Sequence, residues 1–154
     1  MVQDFKVLNT QNNDRFGGSR MDIVYDGTGD VTMINGVNML NQSLQKTILT
    51  SLRDTNLYPL YGSEIRLVIG QPLDDTVVRS FLIQTISEAC DRYIEQQEIA
   101  RREFEFTDAE LMDSLHNITI EKQQLKETVY LVTVYINTVA GTTVPISFPI
   151  EVGG

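Results

Sequence analysis

The chain has 154 residues, 42% of them hydrophobic, and a formal charge of -9. That length fits one domain, since domains commonly run about 100–150 residues, and the hydrophobic share argues against wholesale disorder. Asp and Glu outnumber Lys and Arg 21 to 12 with no basic stripe, which disfavours a nucleic-acid partner held through its phosphates.

Residues 1–20 are rich in Asn, Gln, Asp and Gly, with Phe5 and Phe16 as isolated anchors. They lack an apolar stretch that could serve as a signal peptide, and they predict an extended arm that orders only where something holds it. The rest, residues 21–154, reads as a single domain. Residues 21–25 and 31–34 predict two short strands forming an N-terminal hairpin, joined through the glycine-containing turn at 26–30. That turn lacks the distal glutamate of a calcium loop and the Lys-Ser/Thr of a phosphate loop. Asn35-Gly36 then breaks the second strand.

From residue 37 to about 52 the period becomes helical, with Val37, Leu40, Leu44, Ile48 and Leu52 on one stripe. A loop over 53–61 follows. Ser63 can cap a short helix over 64–69, closed by Gly70 and stopped by Pro72. The alternation of Ile65, Leu67 and Ile69 fits a strand nearly as well. The longest helix starts after Asp74 or Asp75 and carries Val78, Leu82, Ile86, Ala89 and Tyr93 along one stripe, flanked by Phe81 and Cys90. Past Ile94 the stripe gives way to Glu and Gln, predicting a solvated or partner-docked end. Thr107-Asp108-Ala109-Glu110 has capping-box spacing and predicts a brief helical turn through Met112.

Residues 115–122, 127–137 and 143–152 predict three strands. The middle one is apolar on both faces, which places it at the centre of its sheet. Its apolar run is far too short to span a bilayer. In the last strand Val144, Ile146, Phe148 and Ile150 share a face, while Pro145 and Pro149 alternate with them. Both missing donors then fall on one side, so this is an edge strand paired through the other side. The expected architecture is α+β: an N-terminal hairpin, two to three helices, and a small C-terminal antiparallel or mixed sheet packed on the long helix.

Catalytic chemistry is poorly provided for. His116 is the only histidine, and its parity with Ile118 and Ile120 turns it toward the apolar side of its strand. Cys90, the only cysteine, lies in a helical stripe where burial makes a thiol inert; it also excludes an internal disulfide and suits a reducing cytoplasm. No Cys/His metal spacing or cofactor motif is present. A glycosidase needs two carboxylates held about 5–9 Å apart; Glu64 with Asp74 or Asp75 is the least unsuitable pair, and a solvated surface explains them as well.

Gly29-Asp30-Val31, Gly36, Leu40, Gln42 and the stretch from Ile48 through Pro59, Tyr61, Gly62 and Ser63 resemble the baseplate wedge, or sheath-initiator, family of contractile-tailed phages, sometimes labelled lysozyme-like. There a hairpin reading roughly "tGD…v.G" precedes a helix with an early Gln, and a "P.YGS" loop leads into a short helix and a long one. The similarity covers residues 21–95 by motif and the rest by order of elements. Many members end the long helix with Glu-Pro-Arg, which this chain lacks; Arg92, Glu95, Glu98, Arg101 and Arg102 supply the comparable charges. The resemblance implies a virion baseplate subunit, not an enzyme and without a cofactor, assembled in the host cytoplasm in multiple copies. Its implied partners are wedge proteins, the tail sheath protein and, less directly, tube or hub proteins, with no membrane. The sheath adds strands to the C-terminal sheet, for which Val129, Leu131, Val144, Ile146, Phe148 and Ile150 are the pairing candidates. The alternatives are a cell-wall glycoside hydrolase and an assembly adaptor that leaves the particle.

Overall fold

The computed structural model describes residues 4–5, 7–10, 20–23, 33–54 and 59–152. It is an α+β fold in which two helices cover one face of a three-stranded antiparallel sheet.

Four short strands come first: β1 (Asp4–Phe5), β2 (Val7–Thr10), β3 (Arg20–Ile23) and β4 (Met33–Ile34). β2 pairs antiparallel with β3, and β1 with β4. So the strands expected near 21–25 and 31–34 are present in part, but each takes its partner from the first ten residues rather than from the other. Period-two patterning identifies a strand; it does not choose the strand beside it. The turn expected at 26–30, with Gly29 and Asp30, lies outside the described residues.

Helix α1 (Gly36–Leu49) buries Met39, Leu40, Leu44, Thr47 and Ile48. It stops three residues before the expected Leu52 because Thr50 turns extended, with ψ 137°. The hydroxyl of Thr50 donates to the Lys46 carbonyl at 2.7 Å and closes the last turn. The segment expected as a short helix is a single 3-10 turn, Ile65–Leu67, ended by Gly70 at φ +75°. Its strand alternative is not adopted.

Helix α2 (Asp75–Ala100) begins where the sequence places it, with the Asp74 carboxylate accepting from the Thr76 N–H at 3.2 Å. Val78, Leu82, Ile86, Ala89 and Cys90 are fully buried and Tyr93 nearly so. The stripe runs one turn further than its hydrophobicity suggests, to a buried Gln97.

The sheet has the order β5-β6-β7, formed by Met112–Lys122, Val129–Thr138 and Thr143–Glu151. β6 is central, as its two-sided apolar pattern requires, and β7 is an edge strand, as its prolines require. Tyr130, Val132, Val134 and Ile136 join Val144, Ile146, Phe148 and Ile150 in one core with both helices. The opposite face carries the half-buried Leu131, Thr133 and Tyr135.

His116 departs from expectation. The β5–β6 register shifts between Leu115 and Asn117, so a bulge absorbs one residue and inverts the parity on which its placement rested. Leu115, not His116, shares the core side with Ile118 and Ile120, and His116 is exposed.

Candidate functional site

The loop Tyr61-Gly62-Ser63 docks against the C-terminal end of α1. The Ser63 N–H donates to the Thr50 carbonyl at 2.8 Å, and the Leu52 N–H to the Ser63 carbonyl at 3.0 Å, making a one-residue parallel bridge between Ser51 and Ser63. The fully buried Ser63 hydroxyl donates to the Ile48 carbonyl at 2.5 Å and accepts from the Ile65 N–H at 3.2 Å. It therefore joins one helix end to the following turn. Gly62 sits at φ +112°, and a Cβ there would lie 2.6 Å from the Thr50 carbonyl oxygen. Both residues act structurally, while Pro59 is exposed, Tyr61 is half-buried, and Gln42 is half-buried on α1.

Arg92 belongs to the same junction. Its guanidinium donates to the Gly62 carbonyl at 3.1 Å and lies 3.9 Å from Glu88. Thus two features that the sequence offers separately, the loop glycine and a charged residue of the long helix, meet inside the fold. Glu95, Glu98, Arg101 and Arg102 are exposed, with an i,i+3 pair between Glu98 and Arg101 at 3.0 Å. Such exposed pairs stabilise weakly and leave these charges available to a partner. Ile99 and Phe104 are exposed beside them.

The start of α1 is held from far along the chain. Asn35 provides no side-chain cap. The buried Glu110 carboxylate accepts from the Gly36 N–H at 2.9 Å through Oε1 and from the Thr107 N–H at 2.8 Å through Oε2. A carboxylate suits the partial positive charge at a helix N-terminus. The capping-box spacing located half of this arrangement; residues 108–110 form a turn rather than a helix.

Along β5, α2 contributes two backbone contacts. The Gln97 amide donates to the Met112 carbonyl at 2.9 Å and accepts from the Met112 N–H at 2.8 Å. Arg79 donates to the Ile120 carbonyl and pairs with Asp75 at 2.8 Å. The Tyr130 hydroxyl donates to Asp75 at 2.7 Å, and both Arg79 and Lys122 lie within 6 Å of its ring, at 5.8 and 5.9 Å. Hydrogen bonds from Arg79 and Tyr130 hold the Asp75 carboxyl below its ordinary pKa. Burial, with the hydrogen bond to Asp75, pushes the Tyr130 phenol up to about 12. Burial likewise pushes the Cys90 thiol up to about 12. Asp75 is thus tuned to stay ionised, the reverse of what a general acid requires.

An open depression of about 310 Å³ lies beside the loop, lined by Ser51, Arg53, Leu60, Glu64, Arg66 and Leu67 among others. Among the described residues lining it, Glu64 is the one carboxylate. Among the described residues no three His, Cys, Asp or Glu side chains gather where a metal could bind, and no helix is long and apolar enough to cross a membrane.

The strand-pairing candidates are engaged within the sheet. Val129 faces Glu151 and Leu131 faces Pro149 across the β6–β7 register. Hydrogen bonds at its two ends, Thr138 N–H to Thr142 O and Val152 N–H to Thr128 O, set the parity of that ladder. Val144, Ile146, Phe148 and Ile150 direct their backbone groups at β6, and Pro145 and Pro149 face the open side.

No family model matches the chain, and no curated protein matches it. Among solved structures it is similar to a candidate tail lysozyme from Geobacter sulfurreducens, with a TM-score of 0.51 and 12% identity, over 75% of this chain and 89% of that one. The two share a fold.

Proposed function

We propose that this chain is a structural subunit of a contractile phage-tail baseplate, which docks on wedge proteins and templates the first ring of tail sheath by β-strand addition. The observation that supports it best is the fold shared with a tail protein, over a chain whose loop and helix motifs resemble the sheath-initiator family. The exposed charges at Glu95, Glu98, Arg101 and Arg102, with Ile99 and Phe104 beside them, form the wedge-docking end. In strand addition, main-chain hydrogen bonds supply affinity and alternating side chains supply register. Mass spectrometry of purified particles, followed by a cryo-EM map of the tail end, tests the reading. Several copies per baseplate in contact with sheath are expected. A mature virion without the chain overturns it and favours an adaptor that departs after assembly.

A cell-wall glycoside hydrolase is the second reading, favoured by the name of the structural neighbour. It needs paired carboxylates, one with a raised pKa. The lowered pKa of Asp75, and Glu64 as the one carboxylate among the described residues of the depression, count against it. Incubation of the purified chain with peptidoglycan separates the two, release of reducing sugar being the outcome that favours the enzyme.

A further inference from the structure

The two edges of the sheet are closed in different ways, and only one closure is reversible. On β7 the open side presents Pro145 and Pro149, so two donors are absent from the covalent structure itself. No rotamer change restores them, and an added strand would find no donor at either position.

The open side of β5 carries no proline from Met112 to Lys122. The Gln123 N–H bonds the Val129 carbonyl at the far end of the β5–β6 pair, so Ile118, Ile120 and Lys122 direct their N–H and C=O groups away from β6. At the near end the Val139 N–H bonds the Leu111 carbonyl, which turns Met112 outward too. Two of these outward positions are filled by α2. Gln97 makes with Met112 the same pair of hydrogen bonds, one given and one received, that a residue of a neighbouring strand makes. Arg79 supplies a donor to Ile120 where a strand would supply an N–H.

From Arg79 to Gln97 the helix rises about 27 Å at about 1.5 Å per residue. From Ile120 back to Met112 two bulges shorten the strand to the stretch from Val132 to Thr138 on β6, about 20 Å at about 3.3 Å per residue. Gln97 meets Met112 and Arg79 meets Ile120, so helix and strand run antiparallel with a guard at each end, and the register shifts at Asp113 and His116 lie between them.

We propose that the β5 edge is the strand-accepting edge of this protein, held closed in the free chain by Gln97 and Arg79 acting as stand-ins for a strand. Its occupant is an extended, proline-free segment of another polypeptide, whose N–H and C=O groups replace the two side chains. This rests on the strand-addition reading above and names the edge it uses; the test needs no phage particle, so the two can fail separately.

The probe is the chain itself, since a second copy offers its own β5 edge. Gln97→Met keeps the volume and removes both hydrogen bonds, and Arg79→Ala removes the other guard. Sedimentation and amide hydrogen exchange are measured on the unaltered chain, each single variant and the double variant, with circular dichroism to verify folding. The unaltered chain is expected to be monomeric. The folded double variant is expected to dimerise at least tenfold more tightly, with exchange at Ile118 and Lys122 slowed on dimerisation. Should Gln97→Met fail to fold, Arg79→Ala carries the test through protection at Ile120 and Lys122. Monomeric guard-free variants with unprotected amides would overturn the proposal, as would a dimer protected along β7.

Discussion

Replacing Gly62 with alanine tests the account of the loop most directly. The new Cβ would lie 2.6 Å from the Thr50 carbonyl oxygen and 2.9 Å from the Ser51 carbonyl carbon, both backbone atoms that no rotamer can move. The residue is also held at φ +112°, where an L side chain is strained by about 1–2 kcal/mol. Forcing an extra methyl against fixed backbone costs about 1–3 kcal/mol more, so Gly62→Ala should destabilise by about 2–5 kcal/mol. Gly70→Ala is the control: its φ is +75°, but nothing lies within 4 Å of its Cβ, so only the strain remains. Thermal and urea unfolding of both variants give the comparison. Gly62→Ala should lower Tm by roughly 4–20 °C at roughly 2–4 °C per kcal/mol, and Gly70→Ala by less. Equal losses in the two variants would refute the close approach of loop and helix end.

Phe148→Ala, emptying a fully buried site on β7, should cost about 3–5 kcal/mol in the same unfolding assay. Glu110→Gln sets an amide N–H against one of the two backbone donors that the carboxylate now accepts; a loss of about 1–3 kcal/mol is expected, with weakened amide protection at Gly36. On the acid side, the depressed pKa of Asp75 means its contribution is present above its unfolded value of about 3.9 and is lost as pH falls through its lower folded value; Asp75→Asn should flatten that part of the stability–pH curve. On the alkaline side, Cys90 and Tyr130 titrate at about 12 when folded and near 9 and 10 when unfolded. Their contributions are complete below those unfolded values and fade as pH rises toward 12, so stability should fall across that window and a thiol reagent at neutral pH should meet Cys90 only on unfolding.

Much of the site-bearing scaffold is legible in local pattern. The stripe from Val78 to Tyr93 marks the buried side of α2 because a helix of 3.6 residues per turn can bury only residues so spaced. The two-sided apolar run marks β6 as central, and alternate prolines mark β7 as an edge. Each follows from geometry within a few residues. The bulge at His116 was not legible, since an inserted residue leaves the composition of a strand unchanged while reversing its faces. The polar amide of Gln97 points to a solvated or partner-docked helix end; its burial depends on Met112 offering an N–H and a carbonyl fifteen residues away.

The sequence alone therefore determines the buried stripe of the long helix, the central place of β6, and which sheet edge has lost its donors, because these depend on periodicity and on the chemistry of single residues. Tertiary structure alone decides that Arg92 reaches the Gly62 carbonyl, that Glu110 holds the start of α1, and that α2 guards β5 at Met112 and Ile120. Those contacts satisfy buried backbone groups left over by the elements, and a leftover group has no partner until the chain has folded around it.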